Sequence, residues 1–341
     1  MTQTNKAGRI PAPLKTLLKI VFVGALLVFL VQKGFISVDA TRRAFSQTHR
    51  IVPAIAALAI TALLGVVRWQ WLLQAQGIHL RWLRTLQLTF IGNFFNIALP
   101  GAVSGDFVKA FYVANEIQGQ RARAFGSILF DRVAGLSALV LVAATALLLD
   151  LGALLGTPLI RAIQLFIITA AIAVIVFYSY LFLVREHHDP FLRLLRRLEG
   201  RFAKVSSITR IYLSIRHYHS HRISVLKVLG LSIVIHLLVG FACLNFLAAL
   251  GDTQVEKLPL FVVVPIGLLV TAVPVAPAGV GTGHAAFSYL FHFLGSQRGA
   301  DVFSLYALMQ LATGGIGGLI YLRFKAHAPK PKPGLGETAQ A

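Results

Sequence analysis

Charge is nearly absent from eight stretches of this chain, and the length of each stretch sets what it can be. Runs at residues 14–31, 51–73, 125–149, 158–184, 225–250 and 302–324 are as long as the roughly 17–25 apolar residues that carry a helix across a bilayer, or longer. Two further runs, 85–112 and 259–293, are interrupted. The first breaks at Leu99-Pro100-Gly101-Ala102-Val103-Ser104-Gly105-Asp106. The second breaks at Val273-Pro274-Val275-Ala276-Pro277-Ala278-Gly279-Val280-Gly281-Thr282-Gly283. Proline removes a backbone donor and clashes with the preceding turn, and glycine admits positive φ. Irregular backbone at membrane depth is tolerated only inside protein or beside a wet cavity. Both interrupted runs are therefore expected to be re-entrant helical hairpins. The fold class is an all-α polytopic membrane protein, with about six membrane-crossing helices plus two re-entrant hairpins. A single integral domain is expected over 14–324, after a short N-terminal segment (1–13) and before a tail (325–341).

Each half, 14–149 and 158–324, reads as crossing, crossing, hairpin, crossing. Three crossings are an odd number, so the halves run in opposite senses, which suggests an inverted-topology repeat of the kind transporters build their sites around. Residue identity between the halves is not evident; the repeat is inferred from topology.

Composition narrows the class. Hydrophobic residues make up 57% and charged residues 13%, where a soluble domain has about 25% charged. Mean hydropathy is +0.75. The net charge of +20 sits between apolar runs, as expected of positive-inside topology and anionic headgroups, and no nucleic-acid partner is expected. Arg81, Arg84, Arg121 and Arg123, the loop 185–223, and Lys325, Lys330 and Lys332 put both termini in the cytoplasm of a bacterial-type inner membrane. The segment 33–50, with Lys33, Arg42, Arg43 and Arg50, opposes this count but is outweighed. The N-terminal run is longer than a signal-peptide core and reads as an uncleaved first crossing. Cys243, the one cysteine, allows no intrachain disulfide and no cysteine metal site.

Within the loop 185–223, Phe191, Leu194, Leu195 and Leu198 recur at helical spacing beside Arg193, Arg196, Arg197 and Arg201. Such a segment is either an interfacial helix on anionic lipid or an ordinary basic loop. The tail 328–341, rich in proline, lysine and glycine, is expected to be disordered.

Polar groups in apolar helices are expensive and are site candidates by default. The first hairpin carries Asn93, Asn96, Ser104, Gly105, Asp106 and Lys109. Asn93 and Asn96 share a helix face, and Asp106 and Lys109 are spaced to pair. A helix starting near Ser104 turns free amides toward the tip at Pro100 and Gly101, a cradle for an anion or simply a capped helix start. Asp131 and Arg132 lie well inside the third run, and their expected partners are Lys109 and Asp106 respectively. The second hairpin offers Pro277, Gly279, Gly281, Thr282 and His284, with Thr271 before the break and His292 further on. His284 either contacts a phosphate or packs as a satisfied histidine. No hydrolase, metalloprotease or nucleotide-loop motif is present. No catalytic residue, cofactor or metal is expected.

Taken together, Asn96-Ile97-Ala98-Leu99-Pro100-Gly101 and Ser104-Gly105-Asp106-Phe107-Val108-Lys109 resemble the Asn-x-x-Leu-Pro…Gly-Gly-Asp-x-x-Arg signature of the lysylphosphatidylglycerol synthase transmembrane-domain family, also called flippase-like. Asp131-Arg132 resembles its acidic–arginine pair, and Pro277-Ala278-Gly279-Val280-Gly281 its Pro-Gly-Gly-Leu-Gly segment. The resemblance covers about residues 14–324. Ser104 stands for a glycine of the pattern, Lys109 for its arginine, and His284 where many members have glutamate. No soluble aminoacyltransferase domain accompanies these segments, so lysyl transfer by this chain is not expected. The resemblance implies a membrane lipid translocase or a lipid-binding transport component. It would move an anionic or amphipathic headgroup between leaflets without ATP hydrolysis, with Lys109 and Arg132 facing phosphate. The partners implied are membrane lipids and a lipid-biosynthesis enzyme. Two alternatives stand: a membrane-embedded transferase using Asp106, Asp131 or His284 as acid or base, and a non-catalytic scaffold of a lipid-synthesis complex.

Overall fold

The computed structural model describes residues 38–98, 104–117, 120–149, 158–202, 204–272, 279 and 281–324. The expected first crossing at 14–31, the tip residues Pro100, Gly101 and Pro277, and the tail lie outside them. Every regular element among the described residues is helical. In chain order these are α1 (Val38–Ser46), α2 (Thr48–Ala75), α3 (Trp82–Ala98), α4 (Ser104–Glu116), α5 (Arg121–Leu149), α6 (Pro158–Leu183), α7 (Pro190–Glu199), α8 (Val205–Arg216), α9 (Arg222–Ala249), α10 (Lys257–Thr271), α11 (Thr282–His292) and α12 (Gly299–Arg323).

Five of them, α2, α5, α6, α9 and α12, contain stretches long and apolar enough to cross a membrane. The protein is an all-α polytopic membrane protein. The most apolar stretch of α5 is half buried against other helices, and that of α6 only 17%. So α5 is the central post, while α6 turns Leu165, Ile172 and Val176 outward, toward lipid. The segment expected as an outer loop at 33–50 contains α1, whose Ala40 and Ala44 are fully buried. The basic loop is likewise folded, into α7 and α8.

The two interrupted runs are helix pairs, α3 with α4 and α10 with α11, each packed limb against limb. Glycine sets how closely the first pair approaches. A Cβ on Gly105 would lie 1.8 Å from the carbonyl oxygen of Gly92, so the backbones touch there. Asn96 closes the joint, its Oδ1 accepting from the Gly105 amide at 2.8 Å. That satisfies one of the amides a helix start leaves without an intrahelical partner.

The packing repeats on exchange of α2 with α9, α3 with α10, α4 with α11 and α5 with α12. Thus α3 packs on α12 as α10 packs on α5, and α2 on α5 as α9 on α12; α2 and α9 pack on each other. Along that last pair, Leu72 and Ala75 share a cluster with Val225 and Val228, while Ile51, Ala54 and Leu58 share one with Val239, Phe246 and Leu250. The equivalent helices α2 and α9 therefore run antiparallel, as an inverted repeat requires.

Candidate functional site

A cavity of about 400 Å³ opens where the two hairpins meet the central helices, lined from α2, α3, α4, α5, α9, α10 and α12. Its wall changes character along the helix axes. On α2 the lining runs from Leu58 through Thr61, Ala62 and Gly65 to Arg68; on α5 it runs from Leu139 and Leu136 through Gly135 to Arg132 and Asp131. Ten residues of helix are about 15 Å. One end is apolar and the other charged.

The charged end is an interlocked set of five side chains. Arg68 forks onto Asp131, with Nε–Oδ1 at 2.7 Å and Nη2–Oδ2 at 3.0 Å. Its Nη1 donates to Ser232 Oγ on α9 at 3.2 Å. Gly135 leaves room for that guanidinium, since a Cβ there would stand 3.4 Å from Nη1. Across the cavity Asp106 accepts from Arg132 Nε and pairs with Lys109, whose Nζ is 3.2 Å from Oδ1. Lys109 also sits over the Trp69 ring, 4.6 Å from its centroid, a cation–π contact. Its stem lies where a side chain at Gly92 would be, for a Cβ there would come within 2.8 Å of Lys109 Cδ. Desolvated charges persist only when paired with good geometry, and each of these is. Three bases against two acids leave one positive charge in excess.

Exposure ranks the five. The side chains of Asp106 and Lys109 are 8% exposed, Asp131 11%, Arg68 14% and Arg132 41%. Arg132 is the cation most open to a ligand, whereas Lys109 is committed to Asp106 and Trp69. Adjacent residues on α5 face different helices: Arg132 turns to α4 and Asp131 to α2. The expected Asp131–Lys109 pair does not form. Asp131 is held by Arg68, a residue sequence reasoning passed over. The signal was available: Arg68 is a cation near the end of the 51–73 run, and a flanking position disguised it as a boundary charge. His236 is a second site residue that the sequence did not single out. It lines the cavity, and its Nε2 is 3.1 Å from the Gly135 carbonyl oxygen.

Of the other residues singled out in the sequence, Asn93 and Asn96 line the cavity. Ser104 and Gly105 begin α4 beside it. In the second hairpin, Thr271 and Ala272 at the end of α10 form part of the wall. Gly279 (φ 68°) and Gly281 (φ 90°) stand one layer back; a Cβ on Gly279 would lie 2.6 Å from that of Thr271. Thr282 Oγ1 donates to the Gly279 carbonyl at 3.1 Å. His284 is outside the cavity lining, with Nε2 3.1 Å from Ser304 Oγ, Nδ1 accepting from the Gly281 amide at 3.4 Å, and its ring edge-on to Phe303. It therefore packs the hairpin onto α12. Among the described residues no cluster could hold a metal ion.

A family model described as "Lysylphosphatidylglycerol synthase TM region" matches residues 16–319. The chain is also 29% identical over 85 residues to "UPF0104 membrane protein PH1989" of Pyrococcus horikoshii, a match covering 24% of this chain and 25% of that protein. The alignment thus spans about a quarter of that relative's length. No solved structure matches the chain.

Proposed function

The chain belongs to the family of the lysylphosphatidylglycerol synthase transmembrane region, and on that premise we propose that it translocates a membrane lipid by holding a phosphate-bearing headgroup in the cavity between its hairpins. The observation that carries this reading is the polarity of the cavity. An excess cation and an open arginine, Arg132, sit at one end, and an apolar wall of Leu58, Leu136, Leu139 and Val239 at the other. A headgroup phosphate would meet Arg132 at the charged end, with Asn93 and Asn96 supplying polar contacts. The apolar wall would receive the top of the lipid's chains. At about 400 Å³ the space suits a headgroup and not a whole diacyl lipid, so the chains would stay in the bilayer. No nucleotide-binding motif is present in the sequence, so movement would run downhill or be coupled to an ion. Both termini would be cytoplasmic, in an inner membrane.

Of the groups offered as acid or base, Asp106 and Asp131 are both engaged by cations and His284 lies outside the cavity lining, which favours translocation over chemistry. His236 in the cavity wall is the group a transferase would have left to use. The test is reconstitution into liposomes containing fluorescent phosphatidylglycerol, following exchange between leaflets with an impermeant quencher. Exchange by the native chain, lost in Arg132→Met and retained in Arg132→Lys, supports the proposal. A chemically altered lipid found by mass spectrometry in place of exchange would establish the transferase instead.

A further inference from the structure

The pair of short helices α7 and α8 lies outside the cavity and is unexplained by it. Both are pinned to the end of a membrane-spanning helix. Asp189, fully buried, caps α7 by accepting from the Leu192 amide at 2.9 Å. It also accepts from Tyr180 Oη at 2.7 Å and Tyr212 Oη at 2.6 Å, and pairs with Arg216 Nε at 3.2 Å. Arg216 in turn donates to the carbonyls of Leu181 and Val184, which end α6. One acid and one arginine thus tie α6, α7 and α8 into a single joint. The pair is thereby fixed to the end of α6.

The outer face of α7 is only partly covered by the described residues: the Phe191 ring packs edge-on to Tyr212 of α8, centroids 4.9 Å apart, and remains half-exposed. At about 100° per residue, Leu192 and Leu195 occupy one sector of α7 and are buried. Phe191 and Leu194 lie in the neighbouring sector and are 47% and 50% exposed. The apolar face therefore extends beyond the part α8 covers, with Leu194 and one side of Phe191 left open. Phe202 (60%) and Ile208 (55%) extend the exposed apolar surface. Around it Arg193, Arg197, Arg201, Lys204 and Arg210 are all exposed. Only two acids, Glu186 and Glu199, join Asp189 in this stretch, and Glu186 is already paired with Arg196.

We propose that α7 and α8 form a fixed docking surface for the anionic lipid leaflet, with Phe191 and Leu194 inserted among the headgroups and the flanking arginines on lipid phosphates. The occupant is argued from position and charge. The joint to α6 holds the surface at bilayer height, and its charge complements acidic lipid. This stands apart from the cavity and does not depend on what the cavity carries.

The test uses the full chain in nanodiscs of phosphatidylcholine with and without phosphatidylglycerol. A bimane label is placed at Leu194→Cys, and separately at Arg196→Cys on the opposite flank; Cys243 is fully buried and stays unlabelled. At 194 the label should shift to shorter wavelength, lose quenching by iodide and gain quenching by doxyl-labelled lipid, more so with phosphatidylglycerol. At 196 iodide should still quench. Arg193→Gln with Arg197→Gln and Arg201→Gln should abolish the phosphatidylglycerol dependence while the protein keeps its melting temperature, as should exposure to high salt. A label at 194 as open to iodide in anionic nanodiscs as in detergent overturns the proposal. So does protection that appears only when a protein fraction is added, which would make the surface a protein-docking site. Phe191→Cys serves as a second label position should Leu194→Cys fold poorly.

Discussion

Removing Arg68 should damage the fold more than removing almost any surface charge, and removing its partner as well should repair most of the damage. Arg68 and Asp131 are 14% and 11% exposed and share two charge-assisted hydrogen bonds at 2.7 and 3.0 Å. In Arg68→Met the Asp131 carboxylate loses its cation and keeps its burial. Leaving one member of a buried pair alone costs about 3–5 kcal/mol, and an acid at the centre of a membrane helix costs about 2.5–3.5 kcal/mol on insertion scales. Roughly 3 kcal/mol is the expectation. Asp131→Met should cost a similar amount by stranding the guanidinium, softened by its bond to Ser232. Arg68→Met with Asp131→Met replaces both by apolar groups and should lie within about 1.5 kcal/mol of the native chain, since such replacements are often neutral. The coupling read from the cycle would then be several kcal/mol. The exposed pair Arg196–Glu186, 60% and 62% exposed at 3.4 Å, provides the contrast, with an expected coupling of about 0–1 kcal/mol. The assay is reversible unfolding in mixed SDS–detergent micelles followed by circular dichroism. Additive single mutants, within about 0.5 kcal/mol, would refute the network and return Asp131 to an ordinary wetted carboxylate.

Arg132→Met should fold nearly as well as the native chain, because the side chain is 41% exposed, yet lose lipid exchange in liposomes; equal loss of folding would make Arg132 structural. Gly65 lines the cavity, and a Cβ built on it meets nothing within 4 Å. Gly65→Leu should therefore slow exchange by filling space with little loss of stability, and an unchanged rate would exclude this cavity as the route. His284→Gln should leave exchange intact, because His284 is not part of the cavity lining; loss of exchange with the fold intact would return it to the site. Burial pushes the Asp189 carboxyl up, but hydrogen bonds from Tyr212, Tyr180 and the Leu192 amide, with Arg216 beside it, hold it below the ordinary carboxylate value of 3.8. A depressed acid gives its full stabilisation above that value and loses it as pH falls through the folded value. So the joint of α6, α7 and α8 should loosen only under strong acid, measurable as proteolysis between 185 and 222; cleavage already at pH 6 would contradict this.

The alternation of apolar run and interruption was enough to locate nearly every described helix, because a bilayer leaves the backbone few choices. Helix limits at Ala98, Ser104, Thr271 and Thr282 fall where proline and glycine break the runs. The site was legible only in part. Asp106, Lys109, Asp131 and Arg132 stood out as charges in apolar surroundings, and one cross-helix pair, Arg132–Asp106, was foreseeable because consecutive residues on α5 must face different neighbours. The partner of Asp131 was not. It comes from α2, 63 residues away, and distance in space between helices leaves no trace in spacing along one helix. Of the short helices, α7 was legible in the spacing of Phe191, Leu194, Leu195 and Leu198, while α1 and α8 were hidden for a different reason. The end of α8 is held by long-range bonds from Arg216 to the end of α6, which no local pattern announces.

The packing is symmetric and the chemistry is not, and that contrast bears on how the cavity could work. Exchange of α3 and α4 with α10 and α11 preserves the contacts of the scaffold, yet the ion pairs Arg68–Asp131, Asp106–Lys109 and Asp106–Arg132 all lie on α2, α4 and α5. The second set contributes Ser232, His236, Thr271, Gln310 and Thr313 with Ile235, Val239 and Leu268, and no charged side chain to the lining. An inverted repeat can offer two equivalent openings through its related hairpins. A charged cluster fixed to one repeat gives the bound headgroup a single anchor about which the other repeat could rock. Translocation by that route would require the α2–α4–α5 group to move as one body, since its own ion pairs tie it together. The interface free to slide would then be the one with α9, α10 and α12. Its polar cross-links to the charged cluster are the Arg68–Ser232 hydrogen bond at 3.2 Å and the contact of His236 with the Gly135 carbonyl at 3.1 Å. Ser232→Ala with His236→Phe would sever both without disturbing an ion pair. If the two groups do slide, that double change should alter the rate of exchange more than it alters stability.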